Sequence, residues 1–312
     1  MQAVRSTERG VEVVDVPDPV PDHESILLDV ASASICGSDL HLLAFGPMPV
    51  TLGHEFAGSL PDGRVVAVNP NVPCGTCDQC VAGAGHRCRT GAQRILGIAS
   101  DGGMAQSVAV HTDALVMLPT GVPVGDACLV EPLGVATHGV RLAELTSGQR
   151  AAVVGAGAIG LAAVAAARTV VDDVGLVARH APQHVAGERL GAQSTQGEYD
   201  VVFECAGTES ALAQAADLCR PGGRILFLST HWAPVPIPGI LAAMKELDFR
   251  WSFTYGSHDH GHDLDDAAQL LASDPEIAAT LISHRYPLSD AAEAFRVAAD
   301  REAGAIKVVL EP

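Results

Sequence analysis

Two groups of residues in this chain are spaced to hold a metal ion. Cys74, Cys77, Cys80 and Cys88 are written C-x2-C-x2-C-x7-C, four thiols within fifteen residues. Thiolates are soft ligands, and four of them close a tetrahedral site around zinc, which imposes no geometry of its own. An iron–sulfur cluster also takes four cysteines; zinc is the favoured ion. A site closed by four thiolates leaves no open coordination position. This metal is therefore expected to be structural, holding a lobe with little apolar content. The second group is Cys36 and His54, eighteen residues apart, with Glu55 adjoining. A catalytic zinc takes about three protein ligands and keeps one position open. Cys36 and His54 offer thiolate and imidazole. The third ligand is a carboxylate or water, and Glu55 and Glu131 are the two candidates. Asp39 suits the acceptance of the N–H of His54, which would fix its tautomer. Ser38 and His41 suit a proton relay, the hydroxyl passing a proton on and the imidazole delivering it to solvent near neutral pH.

A third pattern is Gly155-Ala156-Gly157-Ala158-Ile159-Gly160. It follows an apolar strand, Ala151 to Val154, and opens a helix at Ile159, the context in which G-x-G-x-x-G marks a dinucleotide loop. Gly155 permits the tight turn, Gly157 the approach of the pyrophosphate and Gly160 close helix–sheet packing. The phosphates would sit at the helix N-terminus, on Ala158 and Ile159. Enzymes that use NAD place an acid at the end of the next strand to hold the ribose 2′-OH. Here that end reads Leu176-Val177-Ala178-Arg179-His180. Arg179 is suited to a 2′-phosphate, so NADP is predicted in preference to NAD. Ala206-Gly207 and Leu228-Ser229 follow two further strands and are predicted cofactor contacts. A closed thiolate cage, an open mixed-ligand site and a dinucleotide loop together point to a zinc enzyme that moves hydride.

The elements that must position these residues divide the chain. Short alternating or β-branched runs, Val11 to Val16, Ser25 to Ala33, Val65 to Val68, Met104 to Val110 and Ala114 to Leu118, predict a loop-rich β unit. The texture then changes to alternating strands and helices: Val135 to Leu145 helical, Arg150 to Val154 a buried strand, Leu161 to Thr169 a helix. Strands recur at Val174 to Val177, Asp200 to Phe203 and Arg224 to Leu228, with helices over Gln183 to Leu190 and Ser210 to Cys219. That alternation predicts a doubly wound parallel sheet. The expected division is a β-rich catalytic domain over 1–134, a Rossmann domain over 135–255, and a segment over 256–312 returning to the catalytic domain through a last strand, Ala305 to Leu310. Glu131 falls at the junction, where a cleft is expected. The apolar stretch Leu247 to Tyr255 is suited to pairing edge to edge with a second subunit.

Composition narrows the class. Of 312 residues, 48% are hydrophobic but only 4% aromatic, so a large core must be built from Ala, Val, Leu and Ile. Nineteen Lys and Arg against 37 Asp and Glu give a formal charge of −18, which argues against nucleic acid or an anionic membrane as partner. Eight cysteines in so long a chain, half of them at ligand spacing, do not read as a secreted disulfide framework. Met1 to Arg5 has no apolar segment of the secretory type. The longest apolar run, Ala151 to Ala167, is short for a membrane span and is interrupted by glycines. A reducing cytoplasm is expected. Cys128, Cys205 and Cys219 read as small core residues. His258, His260 and His262 read as a solvated loop.

Taken in order, these motifs resemble the zinc-dependent medium-chain dehydrogenases, the alcohol, polyol and threonine dehydrogenases. The matching pieces are Cys36-Gly37-Ser38-Asp39-Leu40-His41, Gly53-His54-Glu55-Phe56-Ala57-Gly58, the four-cysteine lobe, Glu131-Pro132-Leu133-Gly134-Val135-Ala136 and Gly155 to Gly160. Glu131-Pro132-Leu133 looks most like the polyol and threonine branch. The resemblance implies a GroES-like catalytic domain and two zinc ions per chain. It implies that Cys36, His54 and a carboxylate bind the catalytic ion, with Glu55 and Glu131 sharing or exchanging that role. It also implies that Ser38 and His41 relay the proton, that Thr137 lies near the nicotinamide, and that the chain forms a homodimer or homotetramer. Two departures stand out: no hairpin between Gly58 and Asp62, and a short segment from Leu42 to Thr51. The function so implied is hydride transfer between NADP and a secondary alcohol or polyol. The alternatives are a biosynthetic cyclitol, aminocyclitol or sugar dehydrogenase, or a non-catalytic dinucleotide-binding redox sensor.

Overall fold

The computed structural model describes every residue except Arg301 and Ala303. The chain forms two compact units. The first takes Met1–Glu131, Gly256–Ala278 and Ile282–Pro312; the second takes Pro132–Tyr255 and Ala279–Leu281.

A seven-stranded sheet organises the first unit, in the order Ile282–Pro287, Lys307–Glu311, Ser25–Ser34, Glu55–Ser59, Val65–Val68, Leu115–Met117, with Ser107–His111 also paired to Ser25–Ser34. Its core is aliphatic, around Leu28, Val66, Met104, Val108 and Leu310, with Phe56 and Phe295 among the few aromatics. Strand register decides which polar side chains share a face. Ser34 lies opposite Glu55 on one side and opposite Val309 on the other. Lys307 is two residues before Val309, so strand alternation places Lys307, Ser34 and Glu55 on one face.

The second unit is a six-stranded parallel sheet in the order Gln193–Ser194, Asp173–Val177, Arg150–Val154, Tyr199–Glu204, Cys219–Phe227, Asp248–Trp251. Numbered along the chain this is 3-2-1-4-5-6, the doubly wound Rossmann order. Helices Ala158–Arg168, Ala181–Arg189, Glu209–Leu218 and Gly239–Met244 lie in its crossovers.

Two element starts differ from the sequence reading by as much as five residues. The helix expected from Val135 begins at Val130. Pro132 lies in its first turn, where the missing N–H is no loss because helix-start donors have no intrahelical partner. Glu131 is therefore in a helical turn rather than in a preceding loop. The strand expected from Arg224 begins at Cys219 and runs through Pro221-Gly222-Gly223. A register shift between Tyr199 and Val201 absorbs the extra residues as a bulge.

Candidate active site

Cys36 is the N-cap of helix Gly37–Leu43, and its own N–H donates to Asp39 Oδ2 at 2.9 Å. The other Asp39 oxygen stands 3.2 Å from His54 Nδ1. One buried carboxylate thus ties the backbone of Cys36 to the ring of His54. The 3.2 Å contact is too bent to be a hydrogen bond, so Nδ1 is buried without an aligned partner. Ser38 Oγ approaches Nε2 at 3.4 Å. Burial by itself pushes the His54 imidazolium down; the negative Asp39, with Cys36 adding, outweighs it and holds the pKa well above the usual histidine range. Cys36, His54 and Glu55 offer ligand atoms that all lie within 4.8 Å of one another. A thiolate, a poorly partnered buried imidazole and a carboxylate at that spacing fit a zinc ion.

Glu55 is held by more than this cluster. Lys307 Nζ donates to its two oxygens at 2.8 and 2.7 Å and to Ile35 O at 3.3 Å, and Ser34 Oγ adds a short hydrogen bond. Both partners are buried, Lys307 at 2% and Glu55 at 0% exposure. Burial alone would push the Lys307 ammonium down; Glu55, with Cys36 and Glu131 adding, holds it above the ordinary lysine range. Glu131 is buried in the first helical turn and is not one of the three converging ligands. Sequence reasoning missed Lys307 and Ser34, which only sheet register brings to Glu55.

Ser38 and His41 lie three residues apart on helix Gly37–Leu43, hence on one face. Ser38 is half-buried against His54 and His41 is exposed. The backbone fit around His54 is tight: a Cβ on Gly97, whose φ is +78°, would come within 2.4 Å of Gly53 and 2.8 Å of His54 N.

The sulfur atoms of Cys74, Cys77, Cys80 and Cys88 also converge within 4.8 Å, unlinked by disulfides. Backbone N–H groups turn toward them, Cys77 N to Cys74 Sγ at 3.4 Å and Cys74 N to Cys88 Sγ at 3.3 Å. The N–H groups of Thr76 and Cys77 lower the Cys74 thiol to about 5. Burial, with hydrogen bonding to Cys77, pushes Cys80 up to about 12. Four thiols this close cannot all ionise without a cation among them, and N–H groups aimed at sulfur suit a bound thiolate. Cys128 is fully buried and burial pushes it up to about 12, as suits a core residue. His258, Asp263 and Asp266 also approach one another; His258 pairs with Asp266 at 2.9 Å, and Asp263 accepts the Gly256 N–H at 2.7 Å.

In the second unit, the glycine loop joins strand Arg150–Val154 to helix Ala158–Arg168, with Gly157 as N-cap. A Cβ on Gly160 would fall 1.7 Å from Gly155 O, so this turn admits no side chain there. Arg179 is exposed just past strand Asp173–Val177, and His180 caps the following helix. Thr137 donates back to Leu133 O at 2.8 Å. Ala206 and Gly207 follow one strand end, and Leu228 and Ser229 the next. Between these pairs lies a residue that sequence reasoning passed over, the fully buried Glu204.

Known proteins share this fold. Residues 22–120 match the alcohol dehydrogenase GroES-like domain, and residues 173–310 match the zinc-binding dehydrogenase family. A 2-dehydro-3-deoxy-L-galactonate 5-dehydrogenase of Pseudoalteromonas atlantica is 30% identical, over 92% of each chain. The chain belongs to the zinc-binding medium-chain dehydrogenases. Another member, a D-xylulose reductase of Scheffersomyces stipitis, is 30% identical over 96% of this chain and 94% of its own. A crystal structure from Sinorhizobium meliloti, classed as a zinc-binding dehydrogenase and bound to NADP, superposes with a TM-score of 0.89 at 30% identity, covering 100% of this chain and 99% of that one. Among the described residues, no helix is long and apolar enough to cross a membrane.

Proposed function

We propose that this dehydrogenase interconverts a secondary alcohol of a polyol with the matching ketone, using NADP(H) and two zinc ions. The convergence of Cys36, His54 and Glu55 is the observation that carries the reading. Cys36 and His54, with Glu55 or Glu131, would hold the catalytic zinc, which when bound supplies Lewis acidity toward the alcohol oxygen. Cys74, Cys77, Cys80 and Cys88 would hold the structural ion. In the oxidative direction the substrate carbon gives a hydride to the nicotinamide and its hydroxyl gives up a proton. Ser38 receives that proton beside His54, and His41, exposed one turn further along the helix, passes it to water.

The relative acting on 2-dehydro-3-deoxy-L-galactonate favours a second reading within the same chemistry, a sugar or sugar-acid dehydrogenase, with cyclitols in the same polar class. Metal analysis and a substrate panel test both. Two zincs per chain are expected, with turnover of polyols, cyclitols or sugar acids above that of simple alcohols. One zinc per chain and no turnover would favour a redox sensor instead. The exposed Trp251 and Phe253, on and after the edge strand Asp248–Trp251, support a homodimer or larger homo-oligomer. A cytoplasmic setting suits thiols kept reduced for metal.

Arg179 supports NADP over NAD, as does the NADP-bound structure. Removing its guanidinium in Arg179→Ala is expected to lower kcat/KM for NADP by about 10- to 100-fold, the loss of one or more charge-assisted hydrogen bonds. The value for NAD should change by less than about two-fold, because no phosphate contact is lost. Steady-state rates with both dinucleotides check this; equal losses would remove Arg179 from the 2′-phosphate site.

A further inference from the structure

Glu204 ends strand Tyr199–Glu204 and is fully buried. Its Oε1 accepts the N–H groups of Ala206 and Gly207, both at 2.8 Å. Its Oε2 accepts a short hydrogen bond from Ser229 Oγ and stands 3.3 Å from His231 Nε2. One carboxylate therefore latches the loop after strand Tyr199–Glu204 to the loop after strand Cys219–Phe227. Among the described residues, His231 is its only ion-pair partner. His231 is fixed from a second side, its ring lying edge-on to Phe227 at 5.4 Å and 81°. The imidazole remains 19% exposed.

Both loops lie at carboxyl ends of parallel strands, where a doubly wound sheet binds its dinucleotide. The pyrophosphate belongs at the glycine loop after the first strand, and the adenosine ribose at the end of the second, beside Arg179. The nicotinamide half would therefore fall on the other side, past the ends of the fourth and fifth strands, where Glu204 and His231 stand. A carboxylate only accepts hydrogen bonds, so Nε2 carries the proton it shares with Glu204, and Nδ1 is the ring nitrogen left for a ligand.

Building on the dehydrogenase reading, we propose that His231 binds the nicotinamide carboxamide through Nδ1, and that Glu204 is the positioning residue that sets the orientation of this ring. The arrangement gives the nicotinamide end a contact of its own, independent of the phosphate and ribose contacts. It fixes which way the ring faces without touching the reacting carbon.

Calorimetric titration of the full-length zinc-loaded enzyme tests this, with NADPH and with 2′-phospho-ADP-ribose, the same nucleotide lacking nicotinamide. NADH and ADP-ribose are titrated in parallel. In His231→Ala the Kd for NADPH is expected to rise about five- to ten-fold, one lost hydrogen bond, and that for the truncated nucleotide by less than about two-fold. Glu204→Gln keeps one acceptor oxygen for four donors, so the amide cannot serve the Ala206 and Gly207 N–H groups and the Ser229 and His231 pair together, and the variant should give the same selective loss. The double variant should add nothing to it, because both changes remove one contact. Equal weakening of both nucleotides, or no weakening in His231→Ala, would overturn the proposal. If Glu204→Gln fails to fold, His231→Ala still decides. Wild-type protein that binds neither NADPH nor NADH would sink the dehydrogenase reading itself, whereas the other outcomes leave that reading standing.

Discussion

Cys36→Ala is expected to lower kcat/KM by at least about a thousand-fold, because metal-ion polarisation is worth several kcal/mol of the barrier. Cys36 contributes the only thiol in the cluster with His54 and Glu55, and it is also the N-cap of the helix that carries Ser38, Asp39 and His41. The substitution removes the ligand but not the backbone N–H that binds Asp39, so the helix start should persist. Dinucleotide affinity should survive, since Gly155, Gly157 and Gly160 belong to the other compact unit. Three measurements on one preparation decide the matter: rate, zinc content and NADPH affinity. Zinc is expected to fall from two to about one per chain. Retained turnover would end the assignment of Cys36 as a ligand of a catalytic metal.

The second large effect is on stability. Lys307→Met is expected to cost about 3–5 kcal/mol, the range seen when one partner of a buried ion pair is removed. Glu55 is fully buried, and Lys307 supplies both of its charged contacts; Ser34 alone would remain. An isolated carboxylate there must be desolvated without compensation or take up a proton. The control is the same lysine change combined with Glu55→Gln. That variant buries an amide instead of a charge and should recover more than half of the loss. Urea unfolding followed in the first unit measures it, with the two units' transitions treated separately. A cost below about 1 kcal/mol would place the pair among interactions of little net value. It would also imply that Glu55 finds another cation, as a zinc ligand would.

Cys36 and Lys307 differ in how far the amino-acid sequence announces them. Cys36 was legible because its chemistry is written locally: a thiol, two residues before a hydroxyl and three before a carboxylate, ahead of Gly53-His54-Glu55. The four-cysteine lobe and the glycine loop were legible for the same reason, since each closes within a few residues and needs only its own turn. The Rossmann sheet could be foreseen from strands and helices in alternation, because that alternation permits few packings. Helix and strand starts were misplaced where Pro132 and Pro221-Gly222-Gly223 read as breaks. A first helical turn and a bulge each tolerate what an element interior does not.

Lys307 and Glu204 mark the limit of that legibility. Lys307 is 252 residues from Glu55, and nothing in its neighbours Ile306 and Val308 announces a buried ammonium. Only the register of three strands brings it to that carboxylate. Glu204 directly follows the predicted strand Asp200 to Phe203 and belongs to no motif, and its four hydrogen-bonding partners come from two loops separated by a helix and a strand. The sequence alone determined the family, the folds of the two units and the residue types able to hold metal and dinucleotide. The tertiary structure decided which charges face each other in the dry interior. Ligand motifs depend on short-range spacing, whereas buried charge pairing depends on how distant strands align.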